Sequence, residues 1–228
     1  MRHPDHQINH KIRSLICFLA VWATSVAFQP AARADAEEAR QCNLEGIDLQ
    51  SQGKLDEAAN LYRKAISLNP GGGAYHNNLA VVLKELKQFE EAEKEARLAL
   101  KIKPERADYH FNLGIILSSL GKKSEAAAEF RQALKRNASD VESRYRLSEI
   151  LVNQEEFEEA EKQLKLAILL VPGDFRFHQL LGDTYMKLQK GEDALYEYKR
   201  TMELAPREKL DAGVVQRVDY LKRLLNSR

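Results

Sequence analysis

The sequence predicts an all-α solenoid, in which five helix hairpins stack side by side and one further helix closes the end. Three columns of residues predict it. Ala58, Ala92, Ala126, Ala160 and Ala194 recur every 34 residues without an insertion or a deletion. Pro70, Pro104, Ala138, Pro172 and Pro206 keep the same step, and so do Gly46, Ala80, Gly114, Ser148 and Gly182. A 34-residue period with small residues at fixed positions marks stacked helix–turn–helix units. Each unit can bury its apolar face only against a neighbour.

The repeats do not begin at the N-terminus. Arg2, Lys11 and Arg13 precede an uncharged apolar stretch, residues 14–28, followed by Ala31-Ala32-Arg33-Ala34. A basic start, an apolar run and an Ala-x-Ala site predict a secretory leader over residues 1–34, cut before Asp35. The run is short for a membrane span, which needs about 20 residues; a retained N-terminal anchor is the alternative. The predicted location is periplasmic or secreted. Beyond the leader, 31 basic side chains face 33 acidic ones, a net charge of −2. That balance gives no reason to expect nucleic acid or stable membrane insertion. Cys42 is the one cysteine left, so no internal disulfide is available, and its place on the inner side of the first unit predicts burial.

Five units follow, residues 39–72, 73–106, 107–140, 141–174 and 175–208, with positions numbered within each from 1. In the first helix, position 7 holds Leu79, Leu113, Leu147 and Leu181, with Glu45 the exception. Position 11 holds Leu49, Leu83, Leu117, Leu151 and Tyr185. These are four apart and share one helix face. In the second helix, the alanine column at position 20 is followed by Tyr62, Ala96, Phe130, Leu164 and Tyr198 at position 24. Ala65, Ala99, Ala133, Ala167 and Thr201 stand at position 27. Small residues at positions 8 and 20 let the two helices of a hairpin approach closely. Acids at position 19 (Glu57, Glu91, Glu125, Glu159, Asp193) fall in the first turn, where they complement the helix dipole. The prolines end the second helix.

These columns resemble the tetratricopeptide repeat, most closely at Asn112-Leu113-Gly114, Gly121, Ala126, Phe130 and Ala133. The resemblance covers residues 39–208. It departs at position 4, where Cys42, His76, His110, Arg144 and His178 replace the family tryptophan. It departs also at Gly191, which replaces a large side chain and leaves the fifth turn in doubt. The resemblance implies a right-handed superhelix whose first helices line a concave groove, a protein-binding function, and no enzymatic activity. It places Asn77, Asn78, Val81, Phe111, Asn112, Ile115, Tyr145, Arg146, Glu149, Arg176 and Gln179 on that groove. The side-chain amides of Asn78 and Asn112 suit an extended peptide backbone, unless they bond within the array. Phe111 and Tyr145 are read as apolar anchors outside the packing columns. The lysines with which chaperone-binding relatives clamp a free carboxylate are missing, which disfavours an acidic C-terminus as partner.

After Arg207 the period stops. Leu210, Val214, Val218, Leu221 and Leu225 share one helical face, which predicts a capping helix over residues 209–228, or a docking surface for a second copy. Gly71-Gly72-Gly73 reads as a flexible break between the first unit and the rest. Three histidines follow the leader, and all sit at position 4. Repeat-to-repeat spacing of roughly 10 Å separates them too far to share a metal. No phosphate loop or nucleophile–base motif is present. The sequence therefore implies no cofactor and no metal. It implies a scaffold that grips a protein or peptide, with self-association as the alternative.

Overall fold

The computed structural model describes residues 33–226. The expected leader lies outside them, apart from Arg33 and Ala34, which open the first helix. Eleven α-helices and no strand occur among the described residues. They are α1 (33–51), α2 (Leu55–Leu68), α3 (Gly73–Glu85), α4 (Phe89–Ile102), α5 (Ala107–Ser119), α6 (Lys123–Arg136), α7 (Val141–Asn153), α8 (Phe157–Leu170), α9 (Phe175–Lys187), α10 (Gly191–Leu204) and α11 (Ala212–Asn226). A short 3₁₀ turn, Arg207–Lys209, precedes α11. No described helix is long and apolar enough to cross a membrane.

Consecutive helices pack in pairs from α2 to α11, so the array is a solenoid of hairpins. The small-residue columns form its spine. All five alanines at position 20 are 0% exposed, as are Tyr62, Phe130, Leu164 and Tyr198 at position 24. Positions 8 and 24 are matched in size. A β-carbon on Gly46, Gly114 or Gly182 would lie 2.7 Å from the ring of Tyr62, Phe130 or Tyr198 respectively. Where position 8 carries Ala80 or Ser148 instead, position 24 carries the non-aromatic Ala96 or Leu164. Each large ring thus lies on a helix stripped to its backbone, a close-packed contact that a single methylene would disturb.

The turn inside each hairpin is one motif repeated five times. The amides of Lys54, Gln88, Lys122, Glu156 and Lys190 reach back to the carbonyls of Leu49, Leu83, Leu117, Leu151 and Tyr185, at 2.8–3.0 Å. The residue before each donor is left-handed: Gly53 (φ 76°), Lys87 (61°), Gly121 (75°), Glu155 (63°) and Gln189 (58°). This is the helix-ending arrangement for which glycine is best suited. The fifth turn, doubtful in sequence, is therefore formed like the others. Gly191 leaves room for the last helix: its β-carbon would meet Leu221 at 3.6 Å.

Gly72 and Gly73 are explained by space rather than by looseness. A β-carbon on Gly72 would overlap the buried Tyr75 ring, and one on Gly73 would crowd Ile102 and the Ala99 carbonyl. Gly72 has φ −81°, open to any residue. Cys42 is buried with Ala39, Ala65 and Tyr75. At the other end, Val214, Val218 and Leu221 of α11 are buried in a cluster with Leu181 and Tyr198.

Position 4 joins each unit to the one before it. His76 has Nδ1 2.6 Å from Glu95 and Nε2 3.2 Å from the Pro70 carbonyl. His110 meets Glu129 and the Pro104 carbonyl at 2.6 and 3.0 Å, and His178 meets Glu197 and the Pro172 carbonyl at 2.6 and 3.1 Å. Arg144 takes the same place in the fourth unit, donating to Gln163 Oε1 and the Ala138 carbonyl, both at 2.6 Å. The first unit follows no other repeat, and there the position is the buried, apolar-packed Cys42. On the outer wall a ladder of exposed ion pairs also crosses units: Arg63–Glu91, Arg97–Glu125 and Arg131–Glu159, at 2.8–3.0 Å. The position-19 acids therefore do more than complement their own helix dipoles.

Candidate functional site

The first helices of the hairpins lie along one side of the array. On it α3 packs on α5 and α7 packs on α9, whereas α5 and α7 meet less closely. A cleft of about 350 Å³ opens between α5 and α7, lined by Ile115, Ser118, Ser119, Arg146, Glu149, Ile150 and Asn153. Three residues placed on the groove from sequence, Ile115, Arg146 and Glu149, meet here. Ile150 shares a column with the core residues Val82 and Ile116, yet lines the cleft and, at 7% exposure, forms its floor.

The polar rim has a direction. Ser118 and Ser119 donate their hydroxyls back to the carbonyls of Gly114 and Ile115, at 2.9 and 3.1 Å. Asn153 donates its amide to the Glu149 carbonyl at 2.6 Å. Their remaining capacity toward the cleft is mostly as acceptors. Such a rim suits an incoming backbone N–H.

A continuous chain of charges starts at the cleft wall and runs away from it. Arg146 donates to Glu142 at 2.9 Å and to Glu149 at 3.1 Å. Arg176 reaches the other oxygen of Glu142 at 3.2 Å and Asp174 at 2.7 Å. The two guanidinium groups also flank the Tyr145 ring, 5.6 and 5.0 Å from its centre, which adds cation–π attraction. Burial, together with the Glu149 carboxylate, pushes the Tyr145 hydroxyl up to about 12. Burial also pushes Asp174 up, but hydrogen bonds from Arg176 outweigh it and hold that carboxyl below its usual range. Three acids thus answer two arginines, so a carboxylate ligand would have to displace a partner already in place.

The asparagines bond within the array. Asn78 donates to Asn43 and Asn112 donates to Asn77, both at 2.9 Å, each amide bridging one first helix to the preceding one. Asn77 is itself buried and lies beneath the groove surface. Two other readings are corrected. Phe111 and Tyr145 do not stand free of the packing. Phe111 is half-buried against the core, 5.9 Å from the Phe130 ring, and Tyr145 packs 5.8 Å from Phe177. For Phe111 the cause is the narrow first helix: position 5 adjoins the ring at position 24 across a hairpin that Gly114 has brought close. Tyr145 instead meets Phe177, at position 3 of the next unit. Val81 on α3 and Gln179 on α9 are half-buried. Among the described residues no cluster of His, Cys, Asp or Glu could hold a metal ion.

Stacked hairpins with an inner cleft define a helical-repeat scaffold that carries its contacts on the surface. The tetratricopeptide repeat model matches residues 49–113 and 119–184, and the chain belongs to that family. Solved structures of the same fold include YrrB, described as a tetratricopeptide protein with an unusual peptide-binding site. It is 23% identical, with a TM-score of 0.70 over 85% of this chain and 98% of its own. PilF of Pseudomonas aeruginosa is 18% identical, with a TM-score of 0.72 over 85% of this chain and 86% of its own. MamA of Desulfovibrio magneticus is 17% identical, with a TM-score of 0.69 over 73% and 94%. No curated protein matches in sequence.

Proposed function

We propose that this chain is a non-enzymatic adaptor outside the cytoplasm, which holds an extended segment of a partner protein across the cleft between α5 and α7. The observation that carries the reading is the cleft itself, with its aliphatic floor of Ile115 and Ile150 and its acceptor-rich rim. Such a site takes an apolar side chain while the rim meets backbone N–H groups, and the self-paired Arg146 and Arg176 leave little pull on an acidic partner. The peptide-binding site of YrrB, on a similar fold, supports a peptide ligand. The basic and apolar start of the sequence supports export, and envelope, secretion or pilus assembly is the setting such an adaptor would serve.

A photo-crosslinking residue in place of the exposed Ser118 tests this in the native cell, with one in place of Glu158 on α8 as control. A partner captured from position 118 and not from 158 is the expected result. Equal capture from both positions would count against the cleft. A second reading, self-association, is favoured by one feature: a crevice of about 500 Å³ between the fifth turn and α11, bordered by the exposed Tyr220. Light scattering of the chain from Asp35 onward separates the two, since a monomer removes the second.

A further inference from the structure

Each histidine that joins neighbouring units has an acceptor at both ring nitrogens, a glutamate carboxylate at Nδ1 and a proline carbonyl of the preceding unit at Nε2. A neutral imidazole has one N–H and satisfies one of them, leaving a bare nitrogen against a lone pair. The imidazolium satisfies both. If the proton rests on the glutamate instead, the contact pattern and the proton count are unchanged, because the pair titrates as a unit.

The fourth unit carries an independent sign that the joint needs donation at both ends. There Arg144 donates to Gln163 and to the Ala138 carbonyl, and a neutral amide replaces the carboxylate. Arginine holds its protons throughout the physiological range, so this joint does the same work without titrating.

We propose that the proton shared by His178 and Glu197 is a latch between the fourth and fifth repeats, whose release at rising pH frees the Pro172 carbonyl and loosens the stack there while the Arg144 joint stays closed. The surroundings differ. His178 faces Glu197 and Arg200 of α10 and lies near Asp174, ahead of its own helix. His110 faces Glu129, and Arg136 of the same α6 donates to the same Pro104 carbonyl at 2.9 Å, so that joint keeps a second holder. His76 faces Glu95 of α4.

The hydrogen bond that His178 donates to Glu197, helped by the Pro172 carbonyl, raises His178 above the ordinary imidazole range, although burial and Arg200 oppose it. A raised folded value means that the stabilisation is complete below the unfolded histidine value of about 6.5. It is lost as pH rises through the folded value. Within that window the folding constant falls by up to about tenfold per pH unit for each joint that holds the extra proton.

The test uses the full chain with ¹⁵N-labelled histidine, assigned by single His→Gln substitutions and followed from pH 5 to 9 alongside thermal unfolding. An imidazolium signature at pH 6 for His178, and an unfolding midpoint that falls as it titrates, are expected. The double variant His178→Arg with Glu197→Gln copies the fourth joint, and should flatten the pH slope by one joint's share. Should that variant not fold, Glu197→Gln alone should lower the His178 titration midpoint. A neutral His178 ring at pH 6, an unchanged slope in the double variant, or an unmoved midpoint in the single variant would each overturn the latch.

Discussion

The Phe130 ring occupies the space a side chain on Gly114 would need: a β-carbon there would lie 2.7 Å from Cε1 and 2.9 Å from Cδ1. Both residues are buried, and backbone lies behind the glycine, so the ring has to shift. Gly114→Ala should therefore destabilise the protein by about 1–3 kcal/mol through overpacking. This exceeds the roughly 1 kcal/mol that alanine gains in helix propensity. Adding Phe130→Ala, which alone costs about 3–5 kcal/mol, copies the Ala80–Ala96 pair of the second unit. The double-mutant cycle in urea should show favourable coupling; strict additivity would mean that the contact does not limit packing.

The left-handed residue of each hairpin turn predicts the opposite response at neighbouring repeats. Lys87, Glu155 and Gln189 hold positive φ without being glycine. Replacing each by glycine should raise stability by about 0.5–1 kcal/mol, the relieved backbone strain less glycine's larger unfolded entropy. Gly121→Ala should lose a similar amount. Thermal unfolding of the four variants reads this directly, and a loss at Glu155→Gly would contradict it.

These two relationships also mark what was legible in the sequence. The columns at positions 7, 8, 11, 20, 24 and 27 are packing positions, and packing recurs with the period, so the family, the hairpins and the core could be read. The trade of Gly46, Gly114 and Gly182 against rings at position 24 stood in the same columns and needed only the two to be compared. The joints were harder. His110 finds Glu129 nineteen residues on and a backbone carbonyl six residues back, and only the angle between three successive helices brings those groups together. The asparagine bridges leave a weaker trace, two pairs 35 residues apart (Asn43 with Asn78, Asn77 with Asn112). Ile150 was hidden because a core residue and a cleft floor look alike until the space between α5 and α7 is seen.

Phe111 and Asn112, adjacent on α5, should separate in their effects. Phe111 packs on the core, so Phe111→Ala should cost about 1–3 kcal/mol in addition to any effect on binding. Asn112→Ala removes one amide bridge, at a cost of about 1 kcal/mol. The binding role of this wall is therefore better probed at the exposed Ser118 and Ser119, where Ser→Arg should block a ligand and leave the melting temperature nearly unchanged. A large drop in melting temperature for Ser118→Arg would show that this surface is part of the packing.

The outer ion-pair ladder looks like a source of cohesion between units, since Arg131 Nη2 lies 2.9 Å from Glu159 and donors repeat at Arg63 and Arg97. Its side chains are 36–53% exposed, however, and exposed pairs contribute about 0–1 kcal/mol and weaken with salt. Arg131→Ala should accordingly change stability by less than about 1 kcal/mol. Val218→Asp at the end of the array is the contrasting case. Val218 is 2% exposed, within the cluster that includes Leu181, Tyr198 and Leu221. A carboxylate there would be set among apolar side chains, and it uncovers the apolar side of the last hairpin. A loss of several kcal/mol is expected, with early protease cleavage in α10 and α11. If Val218→Asp melts like Arg131→Ala, α11 is not held to the array by this face, and the last hairpin is stable without its cover.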